Sequence, residues 1–101
     1  MSVEKLLSDD GNALTIVMDQ KFDFSKVQDF RMAYSDVGDG LKEVTVDLKD
    51  TDYMDSSALG MLLNMQKTLS DRVSTFKIAH CKPQVMKILK ISRFDKKFDI
   101  S

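Results

Sequence analysis

The chain has 101 residues, with 15 Lys or Arg against 16 Asp or Glu and a formal net charge of −1. That length suits one domain with a modest core and leaves little room for a separate substrate domain. The balanced charge argues against a polyanion-binding surface and so against nucleic acid, and the single cysteine, Cys81, excludes an intrachain disulfide.

Met1 to Asp10 is too acidic and too poor in apolar residues for a signal peptide, so a cytoplasmic protein is expected. The longest apolar stretch, Ala58 to Met65, is interrupted by Gly60 and Asn64 and falls far short of the ~20 residues of a membrane span. Val3 to Leu7 reads as a short strand. Asp9-Asp10-Gly11-Asn12 is a strong turn signal, and Leu14, Ile16 and Met18 then alternate with Thr15, Val17 and Asp19 at strand periodicity. Together these segments predict a hairpin. Ser25 followed by Gln28 has the pattern of a capping box. After it, Val27, Phe30 and Tyr34 recur at helical spacing. Gly38-Asp39-Gly40 ends that helix, and Val44, Val46 and Leu48 alternate as a strand.

Asp52 to Ser57 reads as a loop leading into a helix from about Ser57 to Leu69. Phe76, Ile78 and Ala79 give another strand. Pro83 suits the first turn of a helix that carries Val85, Met86, Ile88 and Leu89. Ile91-Ser92-Arg93-Phe94 turns the chain, and Phe98-Asp99-Ile100 reads as a short final strand. The order ββαβαβα(β) predicts an α/β fold with right-handed crossovers and a largely parallel inner sheet, made mixed by the hairpin. In such folds the functional surface lies at the C-terminal ends of the parallel strands, where the loop from Thr51 to Ser57 falls.

Asp55-Ser56-Ser57-Ala58-Leu59-Gly60 is the most informative stretch. One reading is plain capping, because Asp and Ser oxygens accept bonds from the free N–H groups of a first turn. Three features favour a functional reading instead. A single cap needs only one serine. Gly60 costs ~1 kcal/mol relative to Ala in a helix, which close approach by another surface would offset. The apolar arc from Met61 through Met65, Ala58, Leu69 and Leu62 to Leu59 and Leu63 spans roughly 200° at ~100° per residue, where ~100° suffices for a one-sided helix. Met61 and Leu63 stand at opposite edges of the arc, so at least one is expected to reach solvent and suit a partner, unless neighbouring helices cover both.

Val44-Thr-Val-Asp-Leu48 and Tyr53-Met-Asp-Ser-Ser-Ala-Leu-Gly-Met-Leu-Leu63 resemble the STAS domain of anti-sigma factor antagonists and sulfate transporter tails. The resemblance spans nearly the whole chain, with Lys21-Phe-Asp-Phe24, Pro83 and Ile91-Ser-Arg-Phe94 in keeping; Gln20 stands where glycine is frequent. It implies a mixed sheet of four to five strands and three helices mainly on one face. A final helix is frequent in the family, and the sequence given stops at Ser101, so the surface that helix would cover is expected to be open or covered by a partner. In compact length the chain is similar to HsbA- and SypA-type proteins, which control biofilm and motility programmes.

The resemblance implies phosphorylation at Ser56. It also implies a partner surface of Asp55, Ser56, Ser57, Gly60, Met61 and Leu63. The implied partner is a serine kinase with anti-sigma character, or a response regulator with kinase or phosphatase modules. A monomer or weak dimer is expected. A phosphate at Ser56 would add about −1.5 to −2 charges beside Asp47, Asp50, Asp52 and Asp55, against Lys49. The late basic cluster of Lys82, Lys87, Lys90, Arg93, Lys96 and Lys97 reads as a solvated helix face. No cofactor, metal or enzyme activity is expected. His80 and Cys81 are adjacent on a strand end and point apart, and one His with one Cys cannot fill a four-ligand zinc site. Two rival readings are a nucleotide-binding or accessory STAS subunit of a transport complex, and a small hydrolase using Ser56 with Asp55, for which no general base is evident.

Overall fold

The alternation of apolar and polar residues builds a five-stranded sheet. The computed structural model describes residues 3–101; Met1 and Ser2, at the start of the segment read for a leader, lie outside them. In chain order the elements are β1 (Glu4–Leu7), β2 (Ala13–Val17), β3 (Lys21–Phe22), a 3-10 turn (Phe24–Lys26) and α1 (Val27–Ser35). Then follow β4 (Glu43–Asp47), β5 (Tyr53–Met54), α2 (Ser56–Leu69), β6 (Thr75–Ala79), α3 (Pro83–Ile91), a second 3-10 turn (Phe94–Lys96) and β7 (Asp99–Ile100). Gly11 takes φ +75°, a left-handed conformation that costs glycine nothing, and its turn closes β1 against β2 as the expected antiparallel hairpin. The sheet order is β1-β2-β4-β6-β7, parallel from β2 onward.

Leu14, Ile16, Val44, Val46 and Ile78 point to one face of this sheet and are fully buried. Phe30 and Tyr34 of α1, Leu62 and Met65 of α2, and Val85 and Leu89 of α3 join them in one cluster. Burying each such side chain is worth ~1.5–3 kcal/mol. The opposite face carries Thr15, Thr45, Thr75 and Lys77, all half-buried. The three helices therefore cover one face, as expected, and that face supplies most of the hydrophobic stabilisation. Among the described residues no helix is long and apolar enough to cross a membrane.

The structure departs from the sequence reading in two places. The Ser25–Gln28 capping box does not form. Asp23 takes the task one turn earlier: its Oδ1 accepts the Ser25 N–H at 3.0 Å, and the entry into α1 is the 3-10 turn, with no side-chain cap on α1 itself. Hydrogen bonds from Ser25 hold the Asp23 carboxyl below its ordinary range. The segment read as a plain loop contains β5, which pairs in parallel with β3 (Lys21 with Tyr53, Phe22 with Met54). Strands of two residues carry no periodicity to detect.

The end of the chain is fastened from three sides. Pro83 opens α3 as expected, and Arg93 turns the chain with φ +63°. Phe98 stacks on Phe94 with ring centroids 5.7 Å apart and meets Phe76 edge-on at 6.0 Å. The Ser101 N–H donates to the Ile78 carbonyl at 2.9 Å.

Candidate functional site

The segment between β4 and α2 crosses the C-terminal end of the sheet and is pinned there by backbone bonds. Thr51 is fully buried, and its hydroxyl donates to the Asp19 carbonyl at 2.7 Å. The Asp52 and Tyr53 N–H groups both donate to the Gln20 carbonyl, at 2.9 and 3.1 Å. The β3–β5 ladder then sets Phe22 and Met54 into the core. This framework fixes where Asp55 sits and leaves the residues after it facing outward.

Asp55 is the N-cap of α2. Its extended backbone turns the carboxylate back over the helix end, where Oδ1 accepts the Ser57 N–H at 3.0 Å and the Ala58 N–H at 3.3 Å. The capping role therefore falls to Asp55, and Ser56 is the first helical residue, with an exposed side chain. Its backbone N–H belongs to the first turn, where the helix leaves donors unpaired and the dipole favours negative charge. Ser57 is half-buried, one position further in. The two serines are not equivalent: Ser56 projects into solvent, and Ser57 faces the neighbouring helix α1 across a groove.

That groove is a cavity of about 270 Å³, and Ser57, Gly60 and Met61 line its α2 side. Phe24, Val27 and Arg31 line the side formed by α1 and the 3-10 turn before it. Asn64, whose amide donates to the Tyr34 hydroxyl at 3.4 Å, also borders it. Met61 is 7 % exposed and Leu63 is 38 % exposed, so the edge of the arc that reaches solvent is Leu63. The two residues lie on opposite flanks of α2, and the structure does not bring Leu63 into the groove that Met61 lines. Phe24, Val27 and Arg31 were not singled out by the sequence. Phe24 is 70 % exposed, two positions after the buried Phe22, and that in-out alternation in Lys21-Phe-Asp-Phe24 was the available signal.

The surroundings of Ser56 are acidic, as the sequence suggested. Asp19, Asp50 and Asp52 border a second depression, where Lys82 pairs with Asp52. Lys82 thereby separates from the rest of the late basic cluster: Lys87, Lys90, Arg93, Lys96 and Lys97 are exposed and form no ion pair among the described residues. Asp47 is turned to other work. Its Oδ1 accepts the Lys49 N–H at 3.0 Å and lies 3.1 Å from His80 Nδ1. His80 has φ +60° just past β6, which swings its ring to Asp47. Burial, with the Asp47 carboxylate adding to it, pushes the Cys81 thiol up to about 11. A thiol that holds its proton at neutral pH is a poor nucleophile. Among the described residues no group of three or more His, Cys, Asp or Glu could hold a metal ion.

Comparison with known proteins follows from this geometry. The family model described as Mlab, STAS domain matches residues 6–100. A STAS-domain containing protein of Pseudomonas aeruginosa (strain UCBPP-PA14) is 44 % identical over 101 residues, covering all of both chains. Among solved structures, the anti-sigma factor antagonist SpoIIAA in its unphosphorylated form superposes with a TM-score of 0.83 at 16 % identity, over 99 % of this chain and 88 % of that one. A sulfate transporter family protein from Wolinella succinogenes gives a TM-score of 0.76 at 12 % identity, over 92 % of this chain and 75 % of that one. At these identities the structural matches establish the fold.

Proposed function

This chain belongs to the STAS domain family, and on that premise we propose that it is an anti-sigma-factor-antagonist-type switch whose partner binding is controlled by phosphorylation of Ser56. The STAS fold of the anti-sigma factor antagonists is a non-enzymatic regulatory domain. The observation that carries the proposal is the division of labour at the start of α2. Asp55 performs the capping, and Ser56 stands exposed at the first helical position with no packing task.

The switch is local. Unphosphorylated, Asp55, Ser56, Ser57 and Gly60, with the groove floored by Met61 and the flank at Leu63, form the docking surface. The partner is a serine kinase of anti-sigma character, or a response regulator with kinase or phosphatase modules, in the same cytoplasm. Phosphorylation places ~2 negative charges at the helix N-terminus, where free N–H groups and the dipole accommodate them. The docking surface gains bulk and loses charge complementarity.

The test is a calorimetric titration of the purified partner with the unphosphorylated domain, the phosphorylated domain, and the Ser56→Ala and Ser56→Asp variants. Ser56→Ala should bind as well as wild type or better. Ser56→Asp should bind more weakly, and true phosphorylation more weakly still, by tenfold or more (~1.4 kcal/mol). Equal affinities for the phosphorylated and unphosphorylated forms would sink the switch. Nucleotide binding by the unmodified domain alone would favour the transport-subunit reading, which shares the fold.

A further inference from the structure

Gly60 is the residue of α2 that its own fold does not explain. A Cβ built there would meet nothing within 4 Å, so no contact inside the chain requires its absence, although glycine is less stable than alanine in a helix. Gly60 lies in the wall of the groove between α1 and α2. Across from it stands Phe24, a large apolar side chain left 70 % exposed. Val27 and Met61 make the groove apolar, and Arg31 is the one charged residue lining it. Arg31 is exposed and forms no ion pair among the described residues. The volume, about 270 Å³, lies just under the ~300 Å³ at which small-molecule sites begin, which suits one or two side chains.

We propose that this groove receives a large apolar side chain from a segment of the protein partner, and that a carboxylate on the same segment pairs with Arg31. The identity of the partner rests on the switch reading above; the groove and its chemistry do not. Glycine at position 60 lets the incoming segment lie close against α2, and an exposed phenyl ring at Phe24 gives the anchor a wall to pack on. Arg31 supplies direction and sign: a planar, permanently charged fork favours a carboxylate and rejects a basic segment.

The experiment uses a phage-displayed library of random twelve-residue peptides selected on the full chain, followed by NMR titration of the selected peptide. Selected peptides should combine Leu, Met or Phe with Asp or Glu, and amide shifts should concentrate at Phe24, Val27, Gly60 and Asn64. Gly60→Ala should melt at the same or a higher temperature and bind the peptide at least tenfold more weakly. Arg31→Glu should lose at least tenfold for the acidic peptide and gain for its Lys-substituted version. Recovery of no peptide, shifts on another face, or unchanged binding by Gly60→Ala and Arg31→Glu would overturn the proposal. The two readings fail separately. Groove binding that is identical in wild type and Ser56→Asp keeps the groove and removes its control by phosphorylation. Wild-type partner binding by both groove variants, with loss in Ser56→Asp, keeps the switch and removes the groove.

Discussion

Asp55 and Ser56 are neighbours with opposite physical duties, and the difference is measurable in stability. The Asp55 carboxylate satisfies two N–H groups that the helix cannot, so Asp55→Ala should cost ~1 kcal/mol, within the ~0.5–2 of lost caps. Ser56 is exposed and does not cap, so Ser56→Ala should stay within ~0.5 kcal/mol of wild type. Urea midpoints of the two variants check this; equal losses would mean that the capping assignment is wrong. Cys81 gives a second residue-scale prediction. Its thiol moves from an ordinary 9.0 up to about 11 in the fold. Between those values the unfolded chain has released a proton that the folded chain keeps, so this group's contribution to stability falls as pH rises through that window. Iodoacetamide should modify the native protein with a pH midpoint near 11 and the urea-unfolded protein with one near 9. A native midpoint at or below 9 would contradict the buried placement of the sulfur, and Cys81→Ala should lose the corresponding alkaline decline in stability.

The second helix shows how far a sequence pattern reaches and where it stops. Leu62 lies at the centre of the apolar arc and is fully buried, and Leu63, one residue on, is 38 % exposed. Leu62→Asp should cost more than ~3 kcal/mol, since it loses core packing and leaves an unpaired charge in an apolar site. Leu63→Asp should cost less than ~1 kcal/mol. Thermal melts that fail to separate the two would mean that α2 is rotated from its position here. This rotation was legible because helical periodicity is strong over 14 residues. The hairpin at Gly11 and the start of α3 at Pro83 were legible for a related reason, that each depends on one residue's own backbone preference. The β3–β5 ladder was not, because its two-residue strands are fixed by hydrogen bonds to Gln20 and by core packing of Phe22 and Met54. At the site, the exposed Leu63 fitted an arc too broad for one face. The groove escaped notice because Phe24 and Gly60 meet only through packing of α1 against α2. No local pattern records that meeting, and the capping box at Ser25 pointed to a helix start that Asp23 had already displaced.

At the scale of the whole molecule, the question is whether a phosphate at Ser56 changes the fold or only its surface. The frame around the site is built without Ser56. Thr51 is anchored to Asp19, the Gln20 carbonyl accepts two N–H groups, and Asp55 caps α2. The hydrophobic cluster under α2 is closed by Leu62, Met65 and Leu69, all fully buried. A phosphate at the first helical position gains ~0.3–1 kcal/mol from the dipole and the free N–H groups. It loses a comparable amount to repulsion from Asp55 and Asp52, whose charges face water in whole or in part. These effects nearly cancel, so the phosphorylated domain should melt within ~4–8 °C of the unmodified one, the range that 1 kcal/mol covers in a domain of this size. Its amide NMR shifts should move around residues 52–61 and along the groove, and stay fixed in β2, β4 and β6. Differential scanning calorimetry and a heteronuclear spectrum of the two forms make the comparison. A melting point lower by 15 °C or more, or shifts spread through the sheet, would mean that phosphorylation acts by loosening the core. Weakened partner binding would then follow from unfolding, and the surface switch would be the wrong mechanism even with Ser56 as the modified residue.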